Sequence, residues 1–307
     1  MHELALGATN VNPHFGPARN PHDPSRITGG SSGGSAGAVA IGVADLGIGT
    51  DTGGSVRIPA ALCGVVGYKP PYGKMPMEGV YPLAQSLDHV GFFARSVREL
   101  VRMLSAVGWA PQQLTPLRRF RFAVLMGVAE PTKCVEKAFW RAVEALEGIG
   151  GLRDEVFIDA AKYSSARAAI LLSEAAANYY DYLRSAADYM GRDVATLLSA
   201  GVALPAVAYI TAKRVKEEAT QFFSSLLKRY DVVVSPTTAT EAVPIEEAAS
   251  IAVRPRLLAY TELFNLTGHP AISVPAPASS LPVGLQIAAR DEDVLLAVAA
   301  SYEEEAL

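Results

Sequence analysis

The chain has almost no cysteine: Cys63 and Cys134 are the only two in 307 residues. Two isolated thiols exclude a disulfide framework and a zinc ribbon, and they suit a reducing compartment. An excess of basic charge is also missing. Lys and Arg number 27 against 31 Asp and Glu, with an isoelectric point near 5.8, so there is no electrostatic footprint for DNA or RNA. No unbroken apolar run approaches the ~18 residues of a membrane helix, and Met1–Asn12 lacks the charged-then-apolar layout of a secretory signal. His14, His22, His89 and His269 fall without ligand spacing, so no metal is expected, and no cofactor motif is complete. These absences point to a globular, cytoplasmic protein with neither nucleic acid nor membrane as a direct partner.

What is present is apolar and patterned. Half of the residues are hydrophobic, enough to bury a large core. Short apolar runs at Leu46–Gly49, Val65–Tyr68, Arg121–Met126, Asp231–Ser235, Ala271–Val274 and Val283–Ala288 read as buried strands, and Val156–Ile158 as a shorter one. Helical periodicity places helices over Ser35–Ala44, Ser55–Leu62, Ser96–Val107, Lys133–Leu146, Ser165–Met190, Pro205–Tyr230 and Asp291–Glu305. Tyr72–His89 has little periodicity and reads as loop. Strands separated by helices, with no repeat or low-complexity tract, predict an α/β sheet covered by helices in one domain.

Glycine and serine are concentrated in one place, Thr28–Pro70, in clusters at Gly29–Ser35 and Gly53–Ser55. Such glycine density costs backbone entropy and is kept where the chain must bend sharply or approach a ligand. A serine hydroxyl is a weak nucleophile that needs a base and backbone donors for an oxyanion. The run Thr52-Gly53-Gly54-Ser55 offers a nest of N–H groups with a hydroxyl beside it; a glycine turn capped by Ser55 is the plainer alternative. Gly30-Ser31-Ser32-Gly33-Gly34 matches G-x-S-x-G, which would nominate Ser32. No strand precedes it, because Pro21 and Pro24 interrupt Asn20–Thr28. The P-loop lysine is missing after Gly34, and the glycine spacing at Gly47–Gly53 is wrong for a dinucleotide.

Thr28–Pro70 closely resembles the signature of the amidase signature family of serine amidohydrolases. His2–Gly7, Ser86–Gly91, Ala94–Val97, Asp231–Thr237, Phe264–Pro275 and Leu281–Ile287 resemble its other segments. The resemblance implies a mixed central β-sheet with helices on both faces. It implies hydrolysis of a linear, non-peptide carboxylic amide through an acyl-enzyme, without cofactor. Ser55 then matches the nucleophile, and Ser31, expected after a cis peptide bond, the proton relay. Thr52, Gly53, Gly54 and the N–H of Ser55 match the oxyanion hole. Asp51, Arg57 and Ser32 match supporting positions, with a surface salt bridge as the bland reading of Asp51 and Arg57.

The family's third catalytic group is a lysine preceding the first serine cluster. Met1–Gly30 contains none; the first lysine is Lys69, which matches a structural Lys-Pro. The chain is therefore expected to be impaired and to lack an N-terminal portion of the domain. The glutaminase half of a glutamyl-tRNA(Gln)-type amidotransferase, its A-type chain, is the alternative, and a non-catalytic scaffold a further one. Gly79–Ala84 looks more like a general amidase. Partners are a small-molecule amide and either a homodimer mate or an amidotransferase subunit. Tyr179, Tyr180 and Tyr182 are candidates for a pocket wall or for plain packing.

Overall fold

The computed structural model describes residues 1–109, 114, 117, 119–278 and 280–306. In chain order it contains a small hairpin, β1 (Val11–Asn12) and β2 (Gly16–Pro17), then α1 (Gly33–Ala40), β3 (Gly47–Thr50) and α2 (Arg57–Cys63). Next come β4 (Val66–Lys69), β5 (Val90–Ala94), α3 (Val97–Ala106), β6 (Phe120–Met126), α4 (Lys133–Gly148) and β7 (Gly151–Phe157). The helices α5 (Ala160–Ala186), α6 (Arg192–Val202) and α7 (Ala206–Leu226) lead to β8 (Val232–Pro236). The chain closes with α8 (Val253–Leu258), α9 (Glu262–Thr267), β9 (Ala271–Pro275), β10 (Gly284–Ala289) and α10 (Glu292–Ala306).

Eight strands form one mixed sheet in the order β3-β5-β4-β9-β10-β8-β6-β7. The β6 pairings with β7 and β8 are parallel and the others antiparallel. Successive side chains of a strand point to opposite faces, and the central strands are apolar on both. Phe122 and Val124 of β6 enter one core with Leu285 and Ile287 of β10. Ala123, Leu125 and Ala288 enter the other. The first core is closed by α3, α4 and α10, the second by α5, α6, α7 and α9. Helices thus cover both faces, as the resemblance implied.

Local chemistry sets the boundaries. Ser96 Oγ accepts from the Glu99 N–H and starts α3, whose Val97, Leu100, Val101 and Leu104 are buried. Thr132 does the same for α4. Helix α2 begins at Arg57, two residues later than its composition suggests, because Asp51 Oδ2 accepts from the N–H groups of Val56 and Arg57. Ser55 is thereby left outside the helix. Gly67 lets α2 lie directly on the sheet: a Cβ there would sit 2.4 Å from Ala60 Cβ.

Several elements depart from the sequence expectation. Strand β5 follows the long loop directly and pairs with both β3 and β4. Strand β7 is longer than Val156–Ile158; it is an edge strand with a mostly exposed side-chain pattern, so hydrophobicity does not mark it. In the helical middle the break after Met190 and the start at Pro205 are as expected, but α6 fills the stretch between them, which the sequence reading leaves unassigned. The short helices α8 and α9 are set by tertiary contacts rather than by periodicity, every residue of α9 being buried.

Candidate active site

The two serine clusters meet at the junction of α1, β3 and α2. Ser32 N donates to Ser55 O at 3.2 Å, joining the two glycine-serine clusters. The peptide bond between Gly30 and Ser31 is cis. Gly30 N donates to Ala8 O at 2.7 Å and His2 N to Ser31 O at 2.9 Å, so the N-terminal segment holds this turn in place. Ser31 is fully buried, and its Oγ has no hydrogen-bond partner among the described residues. Ser55 keeps 7% of its surface exposed. Ser32 instead serves the sheet edge: its Oγ exchanges hydrogen bonds with Thr50 O and Thr50 N, both at 3.3 Å.

The loop between β3 and α2 is fixed from beneath by charge. Asp51 and Arg57 are both 0% exposed, so the surface-pair reading is corrected: this is an internal ion pair. Arg57 uses all five N–H donors. Nε meets Asp51 Oδ2 at 3.1 Å. Nη2 meets Asp51 Oδ1 at 2.8 Å and Asn265 Oδ1 at 2.7 Å. Nη1 meets Thr261 O at 2.8 Å and Gln286 Oε1 at 2.7 Å. Asn265 Nδ2 returns a bond to Asp51 Oδ1 at 2.8 Å. Burial alone would raise the Asp51 pKa, but the Arg57 guanidinium holds the carboxyl well below the ordinary range. A buried charge pair saturated in this way determines one loop conformation.

That conformation fixes where the loop amides point. Gly54 has φ +126°, and a Cβ there would lie 2.1 Å from Thr261 Oγ1. Its N–H donates to Asp51 Oδ1 at 2.9 Å. Gly54 therefore departs from the expected oxyanion donor: its role is the turn, because the carboxylate beneath the loop takes its hydrogen. The N–H groups of Thr52, Gly53 and Ser55 have no protein acceptor among the described residues. Thr261 Oγ1 anchors Gly53 O at 2.7 Å. Thr52 Oγ1 donates to Asp88 Oδ1 at 2.6 Å, while Asp88 Oδ2 accepts from Leu83 N and Ala84 N, both at 2.9 Å. Burial raises the Asp88 pKa, against the hydrogen bond from Thr52, which lowers it.

Lys69 is fully buried, with Nζ donating to His269 O at 2.8 Å and Pro70 O at 3.1 Å. Desolvation and the nearby Arg57 push its pKa well down. His89 Nδ1 lies 2.7 Å from Leu87 O, and burial together with Lys69 lowers its pKa as well. The tyrosines divide. Tyr179 and Tyr182 line a cavity of about 340 Å³ with Tyr81, whereas Tyr180 faces a different one of about 530 Å³. Sequence reasoning did not single out Thr261, Asn265, Asp88 or Arg167. Asn265 and Asp88 lie inside the Phe264–Pro275 and Ser86–Gly91 segments, and Thr261 and Arg167 carry no sequence signal.

Comparison with known proteins places this geometry. A family model described as Amidase matches residues 1–295. The chain is similar to the A-type chain of the glutamyl-tRNA(Gln) amidotransferase from Carboxydothermus hydrogenoformans, 33% identical over an alignment of 351 positions that covers 99% of this chain and 72% of that protein. The protein of the same name from Deinococcus radiodurans is 35% identical over 99% of this chain and 73% of its own length. Among solved structures, an amidase superposes with a TM-score of 0.93 at 34% identity, covering 100% of this chain and 73% of its own. The A-type chain of the glutamyl-tRNA(Gln) amidotransferase from Thermotoga maritima does so with a TM-score of 0.85 at 31% identity, over 100% and 72%.

Proposed function

The chain belongs to the amidase family, and from that premise we propose that it cleaves the C–N bond of a linear carboxylic amide through an acyl-enzyme on Ser55. The observation that carries this reading is the junction of the two serine segments, with Ser32 N on Ser55 O beside three loop amides that have no protein acceptor among the described residues. Ser55 Oγ attacks the carbonyl carbon, and the new C–O bond places negative charge on the former carbonyl oxygen. The N–H groups of Thr52, Gly53 and Ser55 are the donors for that charge; one such donor is worth about 3 kcal/mol in comparable sites. Ser31 is the relay: its Oγ accepts the Ser55 proton as its own proton passes to the leaving nitrogen. Water then cleaves the ester, regenerating Ser55.

Ser31 Oγ has no partner among the described residues, so these residues supply no base to accept the proton from Ser31. Acylation by activated esters is therefore expected, and turnover of unactivated amides is expected to be slow. The test treats the purified chain with a fluorophosphonate and with p-nitrophenyl acetate, and locates the label by mass spectrometry. Label on Ser55 that disappears in Ser55→Ala supports the reading. Absence of label, or label that persists in Ser55→Ala, overturns it and favours a non-catalytic scaffold.

A second reading is favoured by the amidotransferase relatives at 33–35% identity. In that case the amide is glutamine and a partner protein is required. Co-purification of a second protein or of tRNA with the chain distinguishes it from a free-standing amidase.

A further inference from the structure

Strand β7 ends the sheet: among the described residues β6 flanks it on one side and no strand on the other. All seven of its residues keep register with β6, from Phe120–Gly151 to Met126–Phe157. Just past the strand, Ile158 N donates to Met126 O at 3.1 Å. In a parallel ladder a strand turns the N–H and C=O of alternate residues towards one neighbour. Ile158 and the even-numbered residues of β7 therefore bond to β6, and Gly151, Arg153, Glu155 and Phe157 turn their backbone groups outward. An unpaired edge of about 23 Å results, and such an edge is a template for another strand.

The side chains do little to deter that pairing. Edges are commonly blunted by lysines, prolines or bulges; Gly151–Phe157 holds no lysine or proline, and its register is unbroken. Leu152 is 59% exposed and Phe157 75%, so both ends of the strand carry uncovered apolar surface. The charges between them have both signs. Arg153 lies on the α4 side of the sheet, with its guanidinium 5.6 Å from the Trp140 ring and Nε 3.3 Å from Glu147 Oε1. Glu155, two residues on and so on the same face, is exposed and has no salt-bridge partner among the described residues. Asp154, on the opposite face, pairs with Arg121 at 2.8 Å, and that hydrogen bond holds its carboxyl below the ordinary range.

We propose that β7 is a dimerisation edge whose occupant is β7 of a second copy of this chain, antiparallel about a two-fold axis through Asp154, so that the two sheets join into one. In that register Arg153 stands opposite Glu155 of the other copy, twice, and both are outward residues able to exchange backbone hydrogen bonds. Leu152 stands opposite Val156, twice, on the other face, and Phe157 opposite Gly151, which offers no side chain. The two Asp154 carboxylates meet at the axis, each held by its own Arg121. Moving the axis to Arg153 or to Glu155 sets like charges directly opposite each other, which destabilises a strand pair. Axes nearer the strand ends leave fewer pairs. The edge is therefore complementary to itself, which selects a copy of this chain over an unrelated strand. Seven residues from each copy make a small interface, so the dimer is reversible and grows with concentration.

Sedimentation velocity of the full chain over a concentration series tests this. The parent chain is expected to pass from monomer to dimer as concentration rises. Arg153→Glu and Glu155→Arg each set like charges opposite at two places in the dimer, and each is expected to weaken association by at least ~10-fold. An equimolar mixture of the two variants is expected to dimerise again, because each altered strand then meets the opposite charge on the other. A substitution that merely damages the fold is not rescued by mixing. Glu155→Pro removes an outward N–H while leaving the ladder to β6 intact, and it is expected to abolish the dimer. If Glu155→Pro fails to fold by circular dichroism, the two charge variants and their mixture carry the comparison. A parent chain that stays monomeric at every concentration overturns the proposal. So does a dimer that neither charge variant weakens, or a weakening that mixing does not reverse.

Discussion

Asp51 and Arg57 are paired with no exposed surface on either side chain, Oδ1 to Nη2 at 2.8 Å, directly beneath the loop that carries Ser55. The pair links β3 and the start of α2 to Asn265 on α9 and Gln286 on β10. One guanidinium therefore ties the Ser55 loop to both the helix layer and the centre of the sheet.

Removing the cation leaves Asp51 charged and unpaired in the interior. Breaking a buried pair in this way costs about 3–5 kcal/mol. Arg57→Met is expected to lose that much in urea unfolding and to abolish fluorophosphonate labelling at Ser55. A loss under about 1 kcal/mol with labelling intact means the network does not set the loop.

Gly54 separates conformation from contact. Alanine there meets Thr261 Oγ1 and is also placed at φ +126°, where side-chained residues are rarely found. Gly54→Ala is expected to reduce labelling of Ser55 by at least ~10-fold, on the scale of a misplaced reacting group. Thr261→Ala removes only the Oγ1 contact, leaving Thr261 Cβ at 2.6 Å, Ile58 Cδ1 at 2.9 Å and the φ requirement, so the double variant should stay impaired. Full recovery in the double variant assigns the effect to the Oγ1 contact alone.

The residues of the loop were legible in the sequence because its chemistry is local: glycines where the backbone turns, serines where a hydroxyl is presented. Its support was legible only in part: the resemblance named Asp51, Arg57 and Ser32, but not Thr261 and Asn265, which bind Arg57, or Asp88, which binds Thr52. Asp51 and Arg57 look like any nearby acid and base until α9 and β10 close over them, and Gly54 reads as an oxyanion donor until Asp51 captures its N–H. The same division runs through the fold. Buried central strands such as β8, apolar on both faces, announce themselves by composition. Strand β7 does not, because its side chains are largely exposed, and α9 is buried along its whole length, which erases the helical period. Arg167 is the extreme case, an arginine in an alanine-rich helix whose buried partner, Glu262, lies far away in sequence.

Acid should weaken the fold before the carboxylates titrate. Burial, and then Lys69, lower His269 from its ordinary 6.5 to about 4, with Ser224 Oγ at 3.2 Å and Thr267 Oγ1 at 2.9 Å as its ring partners. The unfolded chain takes up that proton below about 6.5, while the folded chain does not until about 4. Stability from this group is therefore full above pH ~6.5 and declines towards pH ~4, at up to about 1.4 kcal/mol per pH unit. His89 acts in the same direction. Urea titrations between about pH 6.5 and 5 should show a decline whose slope falls by roughly half in His269→Asn. An unchanged slope means that His269 is already protonated in the folded chain.

Asp88 anchors the loop through Thr52, with both carboxylate oxygens engaged by protein donors, which makes a specific prediction about how its loss is felt. Its Oδ1 accepts from Thr52 Oγ1 and its Oδ2 from two backbone amides. Asparagine can offer an oxygen to only one side, so Asp88→Asn turns an amide NH₂ either towards Thr52 or onto the N–H groups of Leu83 and Ala84. The loop then loses its outer anchor while the Arg57 network beneath it stays. Ser55 acylation by p-nitrophenyl acetate is expected to fall by about 10–100-fold, with a stability loss of only about 1–3 kcal/mol. Burial raises the Asp88 pKa above its ordinary 3.8, so the parent chain should lose acylation rate on the acid side at a pH above that value. Asp88→Asn should lack this acid limb. A variant that keeps the limb, or that loses stability and rate in proportion, assigns Asp88 to the fold rather than to the loop.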